Sequence, residues 1–76
     1  MRELILPLIK AVVDAPDQVV VREFAGEETV VFEIRVAKAD VGHVIGMEGR
    51  FARALRVIFG TIGSRRGLRV KIEVLE

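Results

Sequence analysis

The sequence contains no cysteine, no tryptophan and no tyrosine, and these absences exclude several kinds of protein. Without cysteine the chain can form neither a disulfide framework nor a thiolate metal site. Its one histidine cannot assemble a zinc site alone, so no metal is expected. Four phenylalanines are the only aromatic residues. A binding surface built from stacked aromatic rings is therefore disfavoured.

Long hydrophobic runs and catalytic signatures are also missing. The most apolar stretch, residues 4–13, is short and contains Pro7 and Lys10, so it cannot span a membrane. No secretory signal is evident, and we expect a cytoplasmic protein without membrane contact. The chain has no Ser/His/Asp or Cys/His set and no G-K-[ST] phosphate loop. We therefore expect neither an enzyme nor a cofactor.

Length and charge indicate one small domain with two unlike halves. The chain has 76 residues, of which 51% are hydrophobic, which predicts a single domain over residues 1–76 with a modest core. Residues 1–40 hold five Lys/Arg against eight Asp/Glu, whereas residues 41–76 hold seven against three. A basic half of this kind can bind a polyanion, although ordinary scatter of surface charge also explains it.

Helical periodicity predicts a first helix over residues 4–14, with Pro7 in its first turn. Ile5 and Ile9 widen its expected inner stripe, which consists of Leu4, Leu8, Ala11, Val12 and Ala15. A stripe this wide suggests cover on more than one side, by the core alone or by the core and a partner subunit.

Three stretches predict strands, over residues 18–25, 29–38 and 68–75. The second and third alternate cleanly between apolar and polar residues, so each should bury one face. The residues expected to point inward are Val30, Phe32, Ile34, Val36, Leu68, Val70, Ile72 and Val74. The first strand has three successive valines, and its inward face stays undecided.

Two further helices are predicted between the second and third strands. The first covers residues 41–45 behind Asp40 as N-cap, and the second covers residues 50–62, ending at Gly60 and Gly63. Phe51, Leu55, Ile58 and Ile62 should face the core, opposite Arg50, Arg53 and Arg56. The tight turn at residues 26–28 predicts that the first two strands are antiparallel, and a right-handed crossover through two helices predicts that the third strand is parallel to the second. The order α-β-β-α-α-β therefore predicts an α+β fold, in which three helices pack on one face of a three-stranded mixed sheet.

Two glycines three residues apart, in Gly46-Met47-Glu48-Gly49, lie between these two helices. Glycines let the backbone turn sharply and let another chain approach closely. The free N–H groups of the helix that follows favour an anion at the same place. A G-x-x-G pattern alone is weak, because a plain turn between helices explains it equally well.

In its context, however, the chain resembles a type II KH domain. The resemblance is carried by residues 40–56, which read DVGHVIGMEGRFARALR, with support from residues 67–70 and 74–76. It covers essentially the whole chain and is strongest toward the small stand-alone bacterial KH proteins of the KhpA type.

This resemblance implies binding of single-stranded RNA, with the G-x-x-G loop holding the backbone of about four nucleotides. It implies a role as an RNA chaperone or post-transcriptional regulator, and a homodimer or a heterodimer with another KH-domain protein. The site residues it implies are Ile45, Gly46, Met47, Glu48, Gly49, Arg50, Arg53, Arg65 and Arg66.

One departure from the family pattern supports an alternative. Many members carry a basic residue inside G-x-x-G, whereas this chain has Met47 and Glu48, and a carboxylate opposes a phosphate. The alternative is a protein-interaction module that keeps the KH fold and has weak or lost RNA binding. His43, one turn before the loop, is interpreted as a surface residue.

Overall fold

The computed structural model describes the backbone of residues 1–75 and the side chains of residues 1–42 and 49–75. Helix α1 (Arg2–Val12) is followed by strands β1 (Val20–Ala25) and β2 (Thr29–Arg35), then by helix α2 (Val41–Arg65) and strand β3 (Arg69–Leu75). Two single-turn 3-10 helices, Pro16–Gln18 and Lys38–Asp40, join these elements.

The sheet has the predicted pairing. Its order is β1-β2-β3, with β1 antiparallel and β3 parallel to β2. Alternation in β2 and β3 is confirmed, since Val30, Phe32, Ile34 and Ile72 are buried whereas Arg69 and Lys71 are exposed. The α+β class with a three-stranded mixed sheet is therefore confirmed.

The predicted count of three helices is wrong, because the described residues form two α-helices. The ranges 41–45 and 50–62 both fall within the bounds of α2. Gly49 nevertheless has a φ of 71°, which a regular right-handed helix does not contain. A local deviation of the backbone thus occurs at the second glycine of the motif, inside the bounds of one long helix.

Helix α1 buries only part of its predicted inner stripe. Ile5 and Ile9 are completely buried, whereas Leu4 and Leu8 are about half exposed, at 51% and 43%. Pro7 lies inside the helix and not in its first turn, so one intrahelical hydrogen bond is missing there. Periodicity could not choose the inner face, because apolar residues occupy most of this helix.

Asp40 does not cap α2 as predicted. Its side chain is 1% exposed and makes no capping hydrogen bond among the described residues. Instead, its carboxylate accepts hydrogen bonds from the backbone N–H groups of Asp14, at 2.9 Å, and Ala15, at 3.0 Å. Asp40 thereby ties the segment after α1 to the start of α2.

The end of α2 is set by Gly67 and not by the predicted Gly63. The Gly67 N–H donates to the Ser64 carbonyl, and the Leu68 N–H donates to the Gly63 carbonyl, as in a Schellman motif. Gly67 has a φ of 72°, the left-handed conformation that this motif requires. On the core side of α2, Phe59 is buried while Ile58 is 49% exposed, which corrects the predicted face at that turn.

Gly63 has a packing role, and it provides a first testable prediction. A Cβ atom there would lie 2.4 Å from Cγ2 of Val70 and 3.0 Å from the Leu68 carbonyl oxygen. We expect Gly63→Ala to lower the free energy of unfolding by about 1–3 kcal/mol, because α2 must move away from β3.

The matched control is Gly60→Ala in the same helix, where a Cβ would meet no atom within 4 Å. That change should raise the free energy of unfolding by up to about 1 kcal/mol, through helix propensity alone. Urea denaturation of both variants measures the difference. Equal stabilisation by the two substitutions would contradict close packing at Gly63.

Candidate nucleic-acid interface

Gly49 is the residue of the G-x-x-G motif whose surroundings the structure describes. Its φ of 71° costs other L-residues about 1–2 kcal/mol, so glycine suits this position. Apart from Gly49 itself, its chain neighbours and the adjacent helix backbone, no described atom lies within 4 Å of the point that a Cβ atom would occupy. Among the residues whose side chains the structure describes, nothing therefore closes that side of the Gly49 backbone.

Basic side chains follow Gly49 along α2. Arg50, Arg53 and Arg56 are all exposed. The Arg56 guanidinium donates a hydrogen bond of 3.3 Å to the Ile72 carbonyl on β3. Because β3 lies at the end of the strand order, its other edge is unpaired within the described sheet. Arg56 thus connects the basic side of α2 to β3, a contact that helical periodicity could not reveal.

A second group of cations lies at the far end of α2. Arg65 and Arg66 are exposed at the junction with β3. The pKa of Glu3 is lowered by a hydrogen bond with its own backbone, then by the N-terminal ammonium at 3.4 Å, and to a smaller extent by Arg66. The α2–β3 junction therefore lies within electrostatic range of the start of α1.

The predicted cationic residues form two groups and not one cluster. Arg53 and Arg65 are twelve positions apart on one helix, which corresponds to roughly 18 Å along its axis. A single phosphate cannot contact both groups. An extended strand lying along α2 could reach each of them.

Part of the predicted site lies outside the described side chains. This applies to the apolar and loop residues of the motif and to the histidine before it, namely His43, Ile45, Gly46, Met47 and Glu48. The predicted placement of these residues at an RNA site remains a prediction, and so does that of Gly49 and the four arginines.

Within residues 1–42 and 49–75, no group of three or more histidine or acidic side chains could hold a metal ion. No helix among the described residues is both long enough and apolar enough to cross a membrane.

Comparison with known families identifies the family to which the chain belongs. The model of the KhpA/KhpB KH domain matches residues 2–74. The chain belongs to this KH-domain family.

Curated relatives are similar over almost their full length. The RNA-binding protein KhpA of Aquifex aeolicus is 47% identical over 76 residues, which is 100% of this chain and 96% of the relative. KhpA of Chlamydia pneumoniae is 40% identical over 100% of this chain and 97% of its own. KhpA of Listeria monocytogenes is 36% identical, with both chains covered completely. No solved structure matches the chain significantly.

Proposed function

We propose that this KH protein binds single-stranded RNA through the G-x-x-G segment of α2 and acts as an RNA chaperone or post-transcriptional regulator. The single observation that carries the proposal is Gly49, whose left-handed backbone is not closed off by any described side chain and lies at the start of a basic helix face. Full-length relatives named RNA-binding proteins support it. The role is one of binding and not catalysis, by a single domain over residues 1–76 in the cytoplasm.

The proposed contacts divide between backbone and side chains. Gly46 and Gly49 let the sugar-phosphate chain approach, with Met47 and Glu48 between them and Ile45 under the bases. Arg50 and Arg53 neutralise the phosphates nearest the motif, and Arg65 and Arg66 reach a more distant one. Strand β3, whose Ile72 carbonyl accepts a hydrogen bond from Arg56, forms one wall of the groove.

Salt dependence is the direct test of this proposal. Because arginines neutralise phosphates, we expect the RNA affinity to fall steadily as salt rises, by about tenfold between 50 and 200 mM if two to three phosphates are contacted. A filter-binding titration with a short single-stranded RNA measures this. If the folded protein fails to bind even at low salt, the function is wrong and the protein-interaction module, which the named relatives do not favour, takes its place.

We also propose that the protein associates with a second copy or with another KH-domain protein. Leu4, Leu8 and Val12 lie exposed on α1, at 51%, 43% and 39%. Exposed apolar rows of this kind are typical of interaction surfaces. A dimer would raise the avidity for RNA without any new contact in each domain.

Association gives a separate prediction. We expect the native protein to be partly dimeric in sedimentation velocity at high concentration, and Leu8→Glu to shift it to monomer, because the carboxylate would have to be buried. Val57→Glu is the matched control, since Val57 is 64% exposed on α2. Purely monomeric native protein at high concentration would remove the proposed association.

A further inference from the structure

A cleft of about 510 Å³ lies at the end of the sheet, away from the G-x-x-G motif. One wall comes from the β1–β2 turn, with Glu28 and Thr29, and the other comes from the α2–β3 junction, with Ser64, Gly67, Leu68 and Arg69. This volume lies within the range of sites that bind small molecules.

The walls of the cleft are held in place by backbone hydrogen bonds. The Arg69 N–H donates to the Glu28 carbonyl at 2.7 Å and joins the two walls. The Gly26 N–H donates to the Thr29 carbonyl at 2.7 Å, and the Schellman motif ending at Leu68 closes the other side. The cleft is therefore preformed, so that binding there loses little conformational entropy.

The polar side chains in the cleft make no polar contacts with described residues that would stabilise the fold. The carboxylate of Glu28, the hydroxyls of Thr29 and Ser64, and the guanidinium of Arg69 make no hydrogen bond or ion pair to another described residue. A cation, a carboxylate and two hydroxyls in one cleft match a ligand that carries a phosphate together with hydroxyl groups.

Basic side chains connect this cleft to the motif. Arg53 and Arg56 follow Gly49 on α2, and Arg56 bonds the carbonyl of Ile72 on β3. Arg69 is the first residue of that strand. Ser64 lies fifteen positions after Gly49 on α2, or roughly 22 Å along the helix. A strand held at Gly49 and running along α2 would reach the cleft only beyond its first nucleotides.

We propose that this cleft binds one further nucleotide of the same RNA strand, with its phosphate at Arg69 and its 2′-hydroxyl at Glu28, Ser64 and Thr29. The carboxylate fixes this orientation, because it accepts a hydrogen bond from a hydroxyl and repels a phosphate. Contact with the 2′-hydroxyl makes the cleft selective for RNA over DNA. This inference rests on the proposed RNA binding.

The test uses fluorescein-labelled RNA pools of random sequence, four and ten nucleotides long, and a ten-nucleotide DNA pool. In fluorescence anisotropy we expect Arg69→Ala to weaken binding of the ten-nucleotide RNA by about tenfold, because a bidentate phosphate contact is lost. Binding of the four-nucleotide RNA should change by less than about twofold, because that RNA is held at the motif.

Arg35→Ala is the matched control for Arg69→Ala. Arg35 is exposed at one end of β2, whereas Thr29, which pairs with Arg69, lies at the other end. Replacing Arg35 by alanine therefore removes the same charge at a distance from the cleft. Glu28→Gln with Ser64→Ala should reduce the preference for the ten-nucleotide RNA over the DNA. These side chains are exposed, and thermal melting verifies that the variants are folded.

The outcomes separate the two proposals. If the native protein binds neither RNA pool, the proposed function fails. If it binds both, and Arg69→Ala weakens the two RNA lengths equally or no more than Arg35→Ala does, the cleft proposal is overturned. Equal binding of the RNA and DNA ten-mers by the native protein would overturn the ribose contact. Binding of free AMP as tight as that of the ten-nucleotide RNA would make the cleft a site for free nucleotides instead.

Discussion

The double substitution Gly46→Asp with Gly49→Asp is expected to weaken RNA binding by about 100-fold, equivalent to about 3 kcal/mol. At Gly49 a side chain would project into space that no described atom occupies. That is the space proposed for the sugar-phosphate chain. A carboxylate there both fills the approach and repels the phosphate.

The fold should survive this change. Aspartate is among the residues that tolerate the left-handed conformation found at Gly49. No described atom would clash with its Cβ. The circular dichroism spectrum should therefore stay native, while filter binding with a short single-stranded RNA shows the loss.

Gly42→Asp is the control for added negative charge. Gly42 is exposed near the start of α2, and a Cβ there would also meet nothing within 4 Å. An acidic residue in the first turn of a helix is favourable, so this variant should be at least as stable as the native protein. If the double variant binds RNA as well as Gly42→Asp does, the G-x-x-G segment is not the RNA site.

Replacement of Asp40 by alanine is expected to lower the free energy of unfolding by about 3 kcal/mol, the largest stability effect that we predict. The Asp40 carboxylate is 1% exposed and receives the N–H groups of Asp14 and Ala15. Alanine would leave both donors without this acceptor. It would also leave space at the junction between α1 and α2.

Two comparisons isolate the role of the carboxylate. Asp40→Asn keeps one acceptor oxygen and should lose less stability than Asp40→Ala, because one N–H keeps its partner. Asp17→Ala removes an exposed aspartate from the nearby 3-10 turn and should change the stability by less than about 0.5 kcal/mol. Urea denaturation of the three variants measures these values. Equal losses for Asp40→Ala and Asp17→Ala would show that the two hydrogen bonds accepted by Asp40 contribute nothing to the stability.

The Asp40 result explains a limit of sequence interpretation. An aspartate before a helix usually caps it. No feature of residues 38–42 distinguishes a cap from a side chain that bonds a distant segment. The partners of Asp40 lie about 25 residues earlier in the chain. Only the packing of α1 against the rest of the domain brings these groups together.

The glycines of α2 show the same limit. From the sequence, Gly60 is predicted to weaken the helix and Gly63 to stop it, yet a Cβ at Gly60 meets nothing within 4 Å and one at Gly63 would strike Val70. The spacing of these two glycines along the helix does not show which of them faces β3. The role of Gly67 at the end of α2 likewise comes from the structure, which shows its left-handed backbone just beyond the last turn.

By itself the sequence determined the strand faces of β2 and β3, the pairing of the three strands, the G-x-x-G motif and the family. Strand alternation has a period of two with one apolar face, so it allows a single orientation. Tertiary structure alone decided which side of α1 is buried, how Asp40 is used, and that Glu28 and Arg69 meet at one cleft. A helix that is apolar on most sides has several acceptable orientations, and contacts between distant segments depend on which of these the packed core selects.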